Sequence, residues 1–143
     1  MVRRGRRTSA RTSSGLVAGL PLLLVLAGCG AQVEREEAGA AADAFAVDVE
    51  ADPGAACARL APRTLKAVED DGMPCSQALP AAGLPSPAEH TAVTIAGHSA
   101  QVRYPDETVF LARFDDGWKV TAAGCSRTSS DPAVPYDCAV EGS

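Results

Sequence analysis

The chain has 143 residues, 46% hydrophobic and 22% charged, with 13 Lys and Arg against 18 Asp and Glu. That length holds one small domain. The acidic balance excludes a nucleic-acid-binding role, because a negative surface is repelled by phosphate.

The chain begins with Arg3, Arg4, Arg6, Arg7 and Arg11, followed by an apolar run from Leu16 to Ala27 that ends in Leu26-Ala27-Gly28-Cys29. A positive start, a short apolar middle and a small-residue cut site read as a secretory signal peptide. Gly15 to Cys29 falls short of the roughly 20 residues a spanning helix needs, and Pro21 weakens it further. Twin-arginine export is poorly matched, since Thr8, Ser9 and Ala10 stand where apolar residues would follow the arginines. The cysteine at the cut point predicts a lipobox. Residues 1–28 are then removed, and the Cys29 thiol takes a diacylglyceryl group that holds the protein on the outer face of the cytoplasmic membrane. Two or more acyl chains make such anchoring stable. The competing reading is an ordinary secretory signal cut near Gly28 or Ala31. Ala122-Ala123-Gly124-Cys125 repeats the local pattern without an arginine start or apolar run, and carries no such meaning.

Beyond the leader, 8 Lys and Arg face 18 Asp and Glu, a formal charge of −10. Residues 29–39 suit a lipidated N-terminus and flexible tether, small and charged, with an acidic end able to start a helix. Residues 40–143 make the single domain. Ala41, Phe45 and Val49 share one helix face at four-residue spacing. Asp52-Pro53 then reads as an N-cap and first helical position, opening a helix to about Leu60 that contains Cys57. Pro62 restarts the pattern, with Leu65 and Val68 inward and Glu69-Asp70-Asp71-Gly72 as its end. Cys75 to Leu79 adds a turn, and Pro80, Pro85 and Pro87 interrupt the chain from there to His90.

From Thr91 the period changes to two. Val93 and Ile95 pair with Val102 and Tyr104 around Gly97-His98, a hairpin. Thr108–Phe114 and Trp118–Ala122 form a second hairpin around Asp115-Asp116-Gly117, read as an Asp-Gly turn whose two central residues both take positive φ. Ser126 to Pro135 is a loop, and Tyr136 to Val140 an edge strand or clasp. Helices first and antiparallel strands afterwards predict an α+β domain. Phe45, Tyr104, Phe110, Phe114, Trp118 and Tyr136 are its only aromatic residues, so burial alone leaves it marginal. Cys57, Cys75, Cys125 and Cys138 supply the remaining support. Three pairings are possible, and the local one, Cys57–Cys75 with Cys125–Cys138, closes one excursion each. A metal site is disfavoured because no C-x-x-C occurs and His90 and His98 are not grouped with cysteine.

Ala56-Cys57, the Cys75-to-Leu79 segment, Asp116-Gly117-Trp118-Lys119-Val120 and Ala122-to-Cys125 together resemble small lipoproteins of high-GC actinobacteria. Their layout is similar to the cone-shaped, cystatin-like fold of SnoaL and nuclear-transport-factor proteins. The resemblance covers roughly residues 40–142 and implies a curved sheet wrapped on helices, with a pocket at the mouth of the cone. It implies no activity, because relatives of that fold include both enzymes and binding proteins.

Most catalytic chemistry is excluded by spacing. Gly97-His98-Ser99-Ala100-Gln101 lacks the second glycine of a nucleophile elbow. His90 and His98 read as solitary surface histidines at strand ends. Asp70-Asp71, Asp106-Glu107 and Asp115-Asp116 read as solvated turns, since no calcium-loop spacing surrounds them. No glycine-rich phosphate loop follows a strand. No catalytic residue, cofactor or metal is therefore expected. Tyr104, Phe110, Phe114 and Trp118 are the candidates to line a pocket. The expected role is a non-catalytic module that binds an envelope protein or small ligand. The alternative is a cone-fold enzyme acting on a small apolar substrate.

Overall fold

The structure is a computed structural model that describes residues 26–70 and 72–142, with side chains from residue 30 onward. Residues 1–25, which hold the five leader arginines and most of the apolar run, together with the Cys29 side chain, Asp71 and Ser143, lie outside the described residues. Helix α1 spans Leu26–Ala51. It buries Ala38, Ala42, Phe45 and Val49, a spacing of four, three and four that keeps one stripe on the protein interior. Ala38 and Ala42 are the fully enclosed alanines of this helix, and the expected Ala41 sits partly buried at the edge of the stripe. The expected flexible tether is corrected as well, because the helix continues back through residues 30–37, all exposed. Glu34, Glu36 and Glu37 are good helix formers, and Gln32 donates to the Glu36 carboxylate one turn on at 3.0 Å.

Asp52 ends this helix and caps the next, its Oδ1 accepting from the Ala55 N–H at 3.1 Å. Helix α2 spans Pro53–Ala58, two residues shorter than expected. The chain leaves it to make a parallel bridge between Leu60 and Val120, with the Ala61 N–H donating to the Val120 carbonyl at 2.8 Å. Helix α3, Pro62–Glu69, encloses Thr64 rather than Leu65 or Val68, which are partly buried. The reason is polar: Thr64 Oγ1 donates to the Thr121 carbonyl at 3.0 Å, tying α3 to the sheet. The C-terminal tail closes over the same point. A Cβ on Gly142 would stand 2.8 Å from Thr64 Oγ1, so only glycine fits. Helix α4 spans Cys75–Ala81, and Pro80 lies inside its last turn instead of ending it. So near a C-terminus the missing donor costs a single bond.

Strands β1 (Ala92–Ala96), β2 (Ser99–Arg103), β3 (Thr108–Phe114) and β4 (Gly117–Arg127) form an antiparallel meander. The short β5 (Tyr136–Asp137) and β6 (Val140–Glu141) both pair with β4. The α+β class is thus present, with α1 lying across β1 to β4. Ala100, Val102, Val109, Leu111, Trp118 and Val120 join Phe45 and Leu79 in one core.

Two turn details depart from expectation. The β1–β2 turn takes positive φ at Gly97, but the β3–β4 turn places Asp115-Asp116 at its centre and positive φ only at Gly117. A Gly immediately after two ordinary turn residues relieves the strain that an Asp in that conformation would carry. Strand β4 also runs five residues past Ala122, consuming the start of the expected loop. Register shifts opposite Thr108, Phe110 and Leu111 let this longer strand bend past β3. Both disulfides adopt the local pairing, Cys57–Cys75 joining α2 to α4 and Cys125–Cys138 joining β4 to the segment between β5 and β6.

Candidate functional site

Two polar arrangements stand out, one at the α1–sheet junction and one at an end of the sheet. The first centres on Asp43 of α1. The Tyr104 hydroxyl donates to Asp43 Oδ1 at 2.8 Å, and His90 Nδ1 lies 2.9 Å from Asp43 Oδ2. The imidazole meets the Tyr104 ring edge-on at 6.3 Å. One helical turn before Asp43, a Cβ on Gly39 would fall 2.9 Å from His90 Cε1, so the absence of a side chain there gives the ring its seat. His90 is therefore paired, not the solitary histidine expected from the sequence.

Burial, then the hydrogen bond to Asp43 and the negative charges of Asp43 and Glu107, push the Tyr104 hydroxyl well above its ordinary value of 10.0. It stays a donor throughout the physiological range. Glu107 is half-buried rather than freely solvated. Burial raises its carboxyl, while the Gly124 N–H, donating at 2.6 Å, works against that shift. The His90 ring nitrogen opposite the Asp43 contact packs against Gly39, 3.1 Å from where a Cβ would be. This geometry makes a clasp that ties α1 to the sheet through Asp43, which accepts from Tyr104 and pairs with His90 Nδ1.

The clasp predicts a specific alkaline response. Tyr104 titrates higher folded than unfolded, so its stabilising contribution is whole below pH 10.0 and is lost as pH rises above it. Tyr104→Phe removes that dependence and costs about 1 kcal/mol at neutral pH through the lost charge-assisted bond. Thermal melts between neutral and strongly alkaline pH check this. The variant's stability should fall less steeply above pH 10 than that of the wild type, and parallel decline contradicts the clasp.

The second arrangement surrounds Tyr136 of β5. Its ring meets Phe110 edge-on at 5.0 Å, the Arg127 guanidinium stands 4.4 Å from its centroid, and Gln101 Nε2 donates to its hydroxyl at 2.8 Å. Burial works to raise the hydroxyl, but hydrogen bonding and positive charge from Arg127, with Gln101 and Thr108, outweigh it and lower the hydroxyl below its ordinary value. Nothing in the sequence pattern marks Tyr136 or Arg127. The only available signal is an aromatic two residues before a cysteine that pins its segment against β4.

The four expected pocket residues do not converge. Tyr104 belongs to the Asp43 clasp. Trp118 is enclosed in the core, with the Arg113 guanidinium 5.5 Å from its ring and that guanidinium paired with Glu37 of α1 at 2.8 Å. Its indole N–H has no hydrogen-bond partner among the described residues. Phe110 and Phe114 alternate with the buried Val109 and Leu111 and so take the opposite face of the sheet, Phe114 being 39% exposed. His98 sits on the β1–β2 turn, where its carbonyl accepts from Arg113 N–H at 2.8 Å. Of the acidic pairs, Asp115-Asp116 is a turn as expected, with Asp116 paired to Lys119 at 2.9 Å. Among the described residues no group of three or more His, Cys, Asp or Glu is placed to hold a metal, and no helix is long and apolar enough to cross a membrane. Comparison of the chain with protein-family models, curated proteins and solved structures finds no match.

Proposed function

We propose that this chain is an exported lipoprotein, anchored through an acylated Cys29 to the outer face of the cytoplasmic membrane, whose domain is a non-catalytic binding module. The observation that carries this reading is the pairing of the cysteines. Two disulfides account for four of the five and leave Cys29, at the predicted cut point, outside both. Disulfides persist in oxidising compartments outside the cytoplasm, and a remaining cysteine after small residues is what lipid modification requires.

Two further features suit the address. The exposed helical segment 30–37 adds a spacer of about 12 Å between anchor and domain. The formal charge of −10 repels anionic headgroups and holds the domain off the bilayer. The finer layout belongs to the same proposal: a sheet curved around α1 as in the cone-shaped, cystatin-like fold of SnoaL-type proteins, which the small actinobacterial lipoproteins resembled by this sequence would share. Its partner is an envelope protein or a small ligand.

Cell fractionation tests the anchor. The wild-type protein is expected in the membrane fraction and the Cys29→Ala protein in the soluble extracytoplasmic fraction. Equal membrane retention of both contradicts lipid anchoring.

A further inference from the structure

The antiparallel meander brings four strand ends to one edge of the molecule: Arg103 closes β2, Thr108 opens β3, Arg127 closes β4 and Tyr136 opens β5. Arg103, Arg127 and Tyr136 line one open surface cleft there, together with Asp106 and Glu107 of the β2–β3 connection. Arg103 and Arg127 are the two cations of this cleft, and neither guanidinium enters an ion pair among the described residues.

Arg127 is also positioned rather than loose. Its guanidinium rests against the Tyr136 ring, a cation–π contact. Tyr136 is in turn fixed by Gln101 and Phe110. One guanidinium N–H is turned to the Tyr136 hydroxyl, and the remaining donors of the planar group can meet a carboxylate. The same lining carries the opposite charge: Asp106 is exposed, and Glu107 is already engaged by the Gly124 N–H.

We propose that this cleft binds a small zwitterion of the amino-acid or short-peptide class, with Arg103 and Arg127 receiving its carboxylate and Asp106 facing its ammonium. A monocarboxylate fits better than phosphate, because Asp106, Glu107 and the acidic domain as a whole penalise each added negative charge. The proposal deepens the binding-module reading and rests on it, while being independent of the lipid anchor.

Isothermal titration of the protein purified from whole-cell detergent extracts, anchored or not, tests it with alanyl-alanine, alanine, alanyl-alanine amide and inorganic phosphate as probes. Saturable binding of alanyl-alanine or alanine is expected, and which binds tighter distinguishes the peptide from the amino-acid source. The amide, and the Arg103→Gln and Arg127→Gln variants, are expected to bind about tenfold or more weakly, as loss of a charge-assisted pair requires. Arg63→Gln, on α3, is expected to bind as the wild type does. Arg103 is exposed at a strand end, so its variant tests the cleft even if the Arg127 variant perturbs Tyr136. No saturable heat up to about 10 mM of either zwitterion, a weak interaction on any affinity scale, overturns the proposal. So does wild-type affinity in both cleft variants, or tighter binding of phosphate. Continuous heat from hydrolysis of the dipeptide, sensitive to the two arginines, would keep the cleft assignment and overturn the non-catalytic reading.

Discussion

Replacing Phe45 with alanine is expected to cost about 4 kcal/mol, the most damaging single truncation in the molecule. Phe45 is 2% exposed and is the only aromatic side chain of α1. It sits where that helix crosses the sheet, packed with Leu79, Val102, Leu111 and Val120 in one cluster. The surrounding core is built largely of alanine and valine, short side chains that cannot swing into a vacated volume, so the cavity stays open. A domain of this size holds roughly 5–10 kcal/mol in total, and a loss of this size lowers the melting temperature by about 20 °C. Calorimetric melts of the wild type and the variant check this. A shift of only a few degrees would mean that α1 is not packed on the sheet as described.

Reducing the two disulfides is expected to have an effect of comparable size by a different route. The bridges close loops whose ends are 18 and 13 residues apart. Each restricts the unfolded chain by an amount worth about 3 kcal/mol. Together they match much of the stability available to a small aromatic-poor domain. The protein should therefore remain folded at 37 °C in non-reducing buffer and lose its near-ultraviolet circular dichroism when reductant is added. Removing the pair Cys57 and Cys75 by double alanine substitution should loosen the α2–α4 corner and lower the melting temperature by about 15 °C. Unchanged melting in reductant would show that burial alone supports the fold.

The parts of this architecture that could be read from the chain are those governed by local chemistry. Asp52-Pro53 is a helix start because a carboxylate can accept an orphan N–H and proline needs no donor there. The hairpins follow from two-residue alternation punctuated by glycine. The disulfide pairing followed from proximity along the chain. What the sequence obscured depends on contacts distant in the chain. Thr64 is buried because Thr121, far along in β4, offers it a carbonyl; its polar identity pointed outward. Residues 30–37 looked like a tether because their apolar content is low, whereas helix propensity carried by three glutamates and a core beginning at Ala38 extends α1 through them.

The candidate sites were the least legible. Residue type groups Tyr104, Phe110, Phe114 and Trp118, but strand alternation sends Phe110 and Phe114 to the face opposite Trp118. His90 looks solitary along the chain because its partner Asp43 is 47 residues earlier, on a helix. The cleft between Arg103 and Arg127 exists only because the meander returns the ends of β2 and β4 to the same edge.

Intact-mass analysis of the protein extracted from membranes tests the account most directly. A chain that begins at Cys29, carries diacylglyceryl mass on that residue and has no titratable thiol is the predicted result. A chain that still carries its arginine-rich leader, or an unacylated N-terminus with free cysteines, would contradict it.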